Sequence, residues 1–165
     1  METKKETNPE KAVKKPKNKL LTLIVKAQEL YPLPPNEPNV DANTSLSNDD
    51  GFGSGFGTTK KNFETHVFKN FKITWDIEVE NKTEKDKEYK VELVSINHNP
   101  KPSTNPNLFD HNPLTPKPKS NNKSIQGTIV NAPSSPENYT INFQIFKNDK
   151  DPHPFHIDPK LKSNG

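Results

Sequence analysis

The chain has 165 residues, of which 27% are hydrophobic and 27% are charged, with 17 prolines and 6 glycines. This amount of apolar material supports one domain with a core of roughly 100 residues and with polar loops around it. The net charge is +3 and there is no cysteine, which excludes disulfides, thiolate zinc sites and thiol catalysis. The absence of cysteine fits a cytoplasmic protein.

The N-terminal residues 1–18 read as a disordered, lysine-rich arm, and residues 19–165 as a single domain. Met1–Lys19 holds seven lysines and three glutamates, so the remaining chain is slightly acidic. We therefore predict no nucleic-acid partner. The apolar run Leu20–Val25 is too short for a membrane span or for the core of a secretion signal, so we predict neither a membrane span nor export by a standard signal.

The first third of the domain alternates between apolar and polar stretches. The apolar run Lys19–Ala27 predicts a buried strand. The four prolines of "LYPLPPNEP" end regular structure after it. Residues 39–62 are polar and rich in glycine, and we predict a long loop there, of the functional or the disordered kind.

The clearest pattern is the alternation of "FKITWDIEVE" over Phe71–Glu80. It predicts a strand with one face in the core, and this face includes Trp75. The segment Tyr89–Asn97 changes parity at Leu93–Val94, which is typical of a β-bulge. We predict that these two segments pair as antiparallel neighbours.

Residues 98–123 form a proline-rich crossing without periodicity. Ser124–Val130 and Tyr139–Lys147 follow as strands, and Phe155–Leu161 reads as an edge strand because it contains Pro159. No segment has a convincing helical pattern. The predicted fold is an all-β, antiparallel β-sandwich of about six to eight strands with long polar loops.

The glycine-rich stretch "DDGFGSGFGTTKK" fails as a nucleotide loop. Neither the dinucleotide nor the P-loop spacing fits, and the all-β setting lacks the helix whose N-terminus would bind phosphate. Its aromatic residues, Phe52 and Phe56, either contact a ligand or partner together with Asp49 and Asp50, or pack back on their own domain.

The stretch "DANTSLSNDDG" is dense in oxygen atoms of the kind that calcium prefers. The helix–loop–helix calcium pattern fails, because its sixth and twelfth positions would be Leu46 and Phe52. Two interpretations stay open. One is an irregular calcium site with Asp41, Asn43, Asp49 and Asp50 as candidate ligands, and the other is a solvated loop. No other cofactor is predicted.

The histidines do not form a convincing zinc or catalytic pattern. His153 and His156 of "HPFH" would lie on opposite faces of a strand. Asp110 is adjacent to His111, but the chain has no glycine-flanked serine nucleophile. We therefore predict that the protein is not an enzyme.

The order of motifs resembles the bacterial inclusion-body protein family, also called PixA/AidA-like. The resemblance is carried by Leu20–Val25, Trp75, Phe109 with Leu114, Gly127–Ile129, Tyr139–Phe146 and Ile157–Pro159. The lysine-rich arm and the glycine-rich loop have no counterpart in that pattern. The resemblance implies a compact β-sandwich that accumulates in cytoplasmic assemblies and has no established catalytic residues.

These observations favour a non-enzymatic β-sandwich protein that acts through self-association or through binding of another protein. The contact would be edge-to-edge or face-to-face. The alternative is a small-ligand binding module, for a carbohydrate and with calcium, that acts through the 41–57 loop. An enzyme would instead require Asp110, His111 and the C-terminal histidines to converge in a cleft.

Overall fold

The computed structural model describes residues 15–99 and 106–163, and these fold into an all-β protein. The predicted arm therefore lies largely outside the described residues. The described ranges contain two short helices, α1 (Ala27–Leu30) and α2 (Glu37–Ala42), and a 3-10 helix (Glu84–Glu88). The strands are β1 (Lys19–Val25), β2 (Thr44–Asn48), β3 (Gly53–Ser54), β4 (Glu64–Val67), β5 (Lys72–Val79), β6 (Tyr89–Asn97), β7 (Ser124–Thr128), β8 (Glu137–Asn138), β9 (Thr140–Lys147), β10 (Lys150–Ile157) and β11 (Lys160–Ser163).

Sheet I has five strands in the order β3-β2-β1-β5-β7. Its central pair, β1 with β5, is parallel, and its other pairs are antiparallel. The prediction of a purely antiparallel fold is therefore wrong at this pair. Alternate residues of β1 and β5 point into the core, so that Leu21 lies beside Trp75 and Leu23 beside Ile77.

Sheet II has the order β10-β9-β6 and is antiparallel. Asn148 and Asp149 join β9 to β10 and both have positive φ angles, which suits the tight turn of a hairpin. The β6–β9 register shifts between Leu93 and Ser95. This shift confirms the predicted bulge, and it turns the side chain of Val94 outward to 42% exposure.

Sheet III has the order β4-β11-β8 and consists of short strands. β11 pairs parallel with β4 and antiparallel with β8. The predicted strand Phe155–Leu161 is therefore two strands, since the chain leaves sheet II after Ile157 and enters sheet III at Lys160. Pro159 lies at this break because it has no N–H for a continuous ladder.

The predicted pairing of Phe71–Glu80 with Tyr89–Asn97 is wrong. β5 pairs with β1 and β7, whereas β6 pairs with β9. The connection is not a hairpin turn. It contains the 3-10 helix, which opens with a capping box between Thr83 and Asp86, and it carries the chain from sheet I to sheet II.

The prediction of a long loop over residues 39–62 is also wrong in part. This segment contains the end of α2 and the strands β2 and β3. β2 has one inward apolar residue, Leu46. Its other two inward residues are polar but satisfied, since Thr44 donates to the Val40 carbonyl at 2.7 Å and Asn48 donates to the Thr65 hydroxyl at 3.2 Å.

Trp75 belongs to the core, as predicted. It is 1% exposed, and its Nε1 donates to the Tyr139 hydroxyl at 3.0 Å. Phe109 meets the Trp75 ring edge-on at 5.6 Å. The aromatic cluster joins β5, the residue that directly precedes β9 and the proline-rich crossing.

The described part of the crossing forms a seam between sheets I and II. Leu114 exchanges two backbone hydrogen bonds of 2.9 Å with Ile96 of β6. On the other side, Lys117 N–H donates to the Ser124 carbonyl of β7 at 2.8 Å. The Leu114 side chain lies against Gly127, where a Cβ would come within 2.5 Å of it. The edges of β6 and β7 are therefore already paired.

Candidate interaction surface

The stretch that connects β2 to β3 is a hydrogen-bonded hairpin tip, not the flexible loop that its glycines predict. The Asn48 side chain accepts hydrogen bonds from the N–H groups of Asp50 at 3.0 Å and Phe52 at 3.3 Å. The backbone N–H of Asn48 also donates to the Phe52 carbonyl at 2.9 Å. Gly51 has a φ of 89°, which glycine adopts without strain. The hairpin tip, residues 48–53, therefore has a defined shape.

The two predicted contact aromatics have different environments. The side chain of Phe52 is 62% exposed at the hairpin tip. Phe56 is half-buried, and Lys26 Nζ lies 4.5 Å from the centroid of its ring. Phe56 thus packs on its own domain, and Phe52 is the aromatic that faces solvent.

Asp49 and Asp50 lie beside two lysines of the N-terminal segment. Asp50 accepts hydrogen bonds from Lys17 at 2.9 Å and from Lys19, whose side chain is 3% exposed. Burial raises the pKa of Asp50, but the hydrogen bonds and charges of Lys17 and Lys19 outweigh it, and the pKa lies below its usual value. Asp49 is 3.9 Å from Lys17. These carboxylates neutralise lysines of the same chain.

The four candidate calcium ligands do not converge. Asp41 and Asn43 precede β2, whereas Asp49 and Asp50 follow it, and a strand of this length separates its ends by roughly 13 Å. Asn43 donates its side-chain amide to the Asn39 carbonyl at 2.9 Å. Within residues 15–99 and 106–163, no group of three or more histidine, aspartate or glutamate side chains is placed to hold a metal ion.

Lys60 is a buried cation that the sequence pattern did not reveal. Its Nζ donates to the carbonyls of Asp41 at 3.1 Å, Gly55 at 3.0 Å and Thr58 at 2.7 Å, and the residue is 0% exposed. Burial lowers its pKa to about 8, although the Asp41 carboxylate opposes this change. These hydrogen bonds connect the glycine-rich segment to the end of α2. In the sequence, a lysine within a polar stretch does not indicate that its side chain is buried.

The side chains that an enzyme would have to bring together in a cleft make separate contacts. Asp110 and His111 pair with each other at 3.2 Å, and the side chain of His111 is 76% exposed. The pKa of Asp110 is lowered, chiefly by the N–H of Thr128. His153 stacks on Tyr31 with 3.9 Å between ring centroids.

His98 is a further buried titratable residue that sequence analysis left unassigned. It is 1% exposed, and its Nε2 lies 2.8 Å from a Glu137 carboxylate oxygen. Its Nδ1 lies 3.3 Å from the Leu108 N–H and accepts from it when Nε2 carries the proton. His98 therefore ties the seam to β8.

The outer face of sheet I belongs to the sheet with the most strands among the described residues, five against three in each of the others. It consists of the side chains that alternate with the core residues of β1, β2, β5 and β7. Six of its polar side chains are small, and none of them is buried: Thr22, Ser45, Ser47, Thr74, Ser124 and Thr128. Its other polar members are Lys72, Asp76, Glu78 and Gln126. Gly53 of β3 extends this face, because a Cβ there would contact the Ser47 side chain at 3.3 Å. We call this surface the outer face.

Two apolar side chains lie along the middle of the outer face. Leu20 and Ile24 both project from β1, and Leu20 is 38% exposed whereas Ile24 is half-buried. The alternation in the sequence predicted polar outer positions on β5. It gave no indication that β2, with its serines, would extend the same surface.

The described helices include none that is long and apolar enough to cross a membrane. The architecture is that of an all-β protein with mixed sheets. No protein-family profile matches the sequence, and no curated protein sequence matches it.

A solved structure with a similar fold is the inclusion body protein (PixA) from Burkholderia cenocepacia J2315. The similarity has a TM-score of 0.59 at 13% sequence identity, and it covers 96% of this chain and 99% of that chain. The two proteins share their fold over nearly their whole lengths. This agrees with the fold that the motif resemblance implied.

Proposed function

We propose that this chain is a non-enzymatic β-sandwich protein of the bacterial cytoplasm that acts through self-association. The observation that carries the proposal is the outer face of sheet I, a broad surface that combines small polar side chains, two apolar side chains and the charged side chains of β5. The shared fold with an inclusion body protein over 96% of the chain supports it. Sheets I and II would form the two layers of the sandwich.

Several edge strands are poorly suited to pairing with a strand of another chain, and this favours association between sheet faces. The seam occupies the free edges of β6 and β7. The edge strand β10 contains Pro152 and Pro154, which have no N–H for pairing with another strand. Of the two contact modes that the sequence left open, we therefore propose face-to-face association.

The exposed Phe52 provides a second contact point. An aromatic side chain that is 62% exposed on a hydrogen-bonded tip can enter a partner's pocket at little entropic cost. Its neighbour Asp49 is the more exposed of the two tip carboxylates. We propose Phe52 and Asp49 as contact residues, whereas Asp50 holds the tip through Lys19 and Phe56 packs against Lys26.

The test is the molar mass of the purified full-length protein in solution as a function of concentration. Multi-angle light scattering or sedimentation equilibrium should show a mass that rises with protein concentration. Phe52→Ala should weaken this rise, whereas Val94→Ala, a matched control on the exposed bulge of β6, should not. A mass that stays monomeric at the highest attainable concentration, in low and in high salt, would refute self-association.

A further inference from the structure

We propose that two copies of this chain meet through their outer faces about a two-fold axis that lies across strand β5. This inference rests on the proposed function, because it specifies the geometry of self-association. The partner is a second copy of the same chain. The argument comes from the order of charges along β5, from the apolar side chains of β1 and from the area of the face.

The outer side chains of β5 run from positive to negative. Lys72 stands at one end and Glu78 at the other, both exposed, and six residues of strand separate them by roughly 20 Å. Within the described part of the chain, neither has an oppositely charged group within the 4.0 Å that defines an ion pair. Asp76 lies between them and accepts from the Ser124 hydroxyl at 2.7 Å.

A two-fold axis in the plane of the face and perpendicular to the strands reverses this order. It places β5 of one copy over β5 of the other in the opposite direction. When the axis passes midway between Thr74 and Asp76, Lys72 of each copy faces Glu78 of the other. An isologous interface uses every such pair twice, so the contact contains two complementary ion pairs and no like-charge pair at these positions.

The same axis superimposes β1 on β1. The register places Leu20 beside Thr74 and Ile24 beside Glu78 within one copy. Because Leu21 lies level with Trp75, Leu20 of one chain faces Thr22 of the other, and Ile24 faces Asn18, which precedes β1. The apolar surface of Leu20 therefore leaves water on both copies. The side chains around Leu20 are mostly short, among them Thr22 and Thr74, and packed sheets lie about 10 Å apart.

The area of the face suits a weak contact. Four to five strands that lie about 4.8 Å apart, with about four outward residues along each strand, give the face an area of roughly 500 Å² on each copy. Two copies together bury roughly 1,000 Å², which lies at the lower limit of specific interfaces. We expect association that depends strongly on concentration and that weakens with salt, since the paired charges are exposed before binding.

The decisive experiment uses charge reversal and mixing of full-length chains. Lys72→Glu and Glu78→Lys should each raise the dissociation constant by about tenfold, because each replaces two ion pairs by two like-charge pairs. An equimolar mixture of the two variants should associate as tightly as the wild type, since each chain then complements the other. Lys87→Glu and Glu84→Lys are controls with equal charge changes on the exposed 3-10 helix, and they should leave the dissociation constant unchanged.

The outcomes separate this proposal from the more general one. A wild type that associates while K72E and E78K bind as tightly as the controls would overturn the outer-face dimer and leave self-association standing. Single variants that weaken binding without restoration on mixing would overturn the two-fold arrangement. A wild type that stays monomeric would refute both.

A second measurement shows whether another part of the same chain covers the face. The chain has no cysteine, so Thr22→Cys introduces a single thiol at the centre of the outer face, and Val94→Cys introduces one on the exposed bulge as a control. Thiol labelling at position 22 should be fast in dilute protein and slow in concentrated protein. Labelling that is slow at every concentration would assign the face to the chain itself and overturn the proposal.

Discussion

Removal of a single oxygen from Tyr139 tests the aromatic cluster in the core. Trp75 Nε1 donates to the Tyr139 hydroxyl at 3.0 Å, and the two residues are 1% and 2% exposed. Tyr139→Phe removes this acceptor and leaves the indole N–H buried without it. A buried unsatisfied donor costs about 1–3 kcal/mol. We expect Y139F to lower the free energy of unfolding by this amount at neutral pH.

The destabilisation that Y139F causes should also depend on pH. Burial raises the pKa of Tyr139 far above its ordinary value of 10.0, and the Trp75 hydrogen bond only partly opposes this. Above about pH 10 the unfolded chain loses the Tyr139 proton while the folded chain keeps it. The wild type therefore loses about 1.4 kcal/mol of stability for each further pH unit. Phenylalanine has no such proton, so the penalty of Y139F should shrink by about that amount at pH ~11.

Urea denaturation followed by fluorescence measures this effect directly, because Trp75 is the only tryptophan. The matched control is Tyr89→Phe, which removes the hydroxyl of a half-buried tyrosine outside the Trp75 cluster. We expect Y89F to cost less than Y139F at neutral pH. A Y139F penalty that is the same at neutral pH and at about pH 11 would refute the reasoning that Tyr139 stays buried and protonated.

Three further predictions concern the seam, the hairpin tip and the buried lysine. Gly127→Ala should destabilise the fold by about 1–3 kcal/mol in urea titrations, because its Cβ would lie 2.5 Å from Leu114, and truncation of Leu114 to Ala in the same chain should recover part of the loss. Asp50→Asn should lower the melting temperature at pH ~7, and this loss should shrink as the pH falls below 3.8, because the stability from the lowered pKa of Asp50 is lost as the pH falls through the folded-state pKa. A loss that stays constant into strongly acidic solution would contradict the ion pair with Lys19. Since burial lowers the pKa of Lys60 to about 8, the unfolded chain binds more protons between pH ~8 and ~10.5. Stability should therefore rise across this window, and Lys60→Met should abolish the rise.

The sequence was sufficient for the strands with strong alternation. The pattern of Phe71–Glu80 correctly separates core from surface, and the parity change at Leu93–Val94 locates the bulge. Parity states which face of a strand is buried but not which strand lies beside it. The pairing of β5 with β1 and β7 depends on contacts between distant segments. The prediction that β5 pairs with the next long strand, β6, was therefore wrong.

The sequence analysis did not predict the strand β2, and the reason is different. "TSLSN" has one apolar residue, and its inward positions Thr44 and Asn48 are satisfied by hydrogen bonds to Val40 and Thr65. These partners come from other elements, so the local sequence carries no signal of burial. The sequence likewise did not distinguish the exposed Phe52 from the half-buried Phe56, because Lys26, which contacts the Phe56 ring, lies far away in the sequence.

The pairing of β4 with β11 has a consequence for how the chain folds. It places Glu64 beside Lys160, so sheet III cannot form until almost the whole domain has been brought together. The parallel pair β1–β5 likewise joins Lys19 to Ile73. Long-range strand pairs must close large loops before they gain stability, which slows folding. We expect slow refolding, during which the backbone groups of β4 stay unpaired and open to contact with other chains.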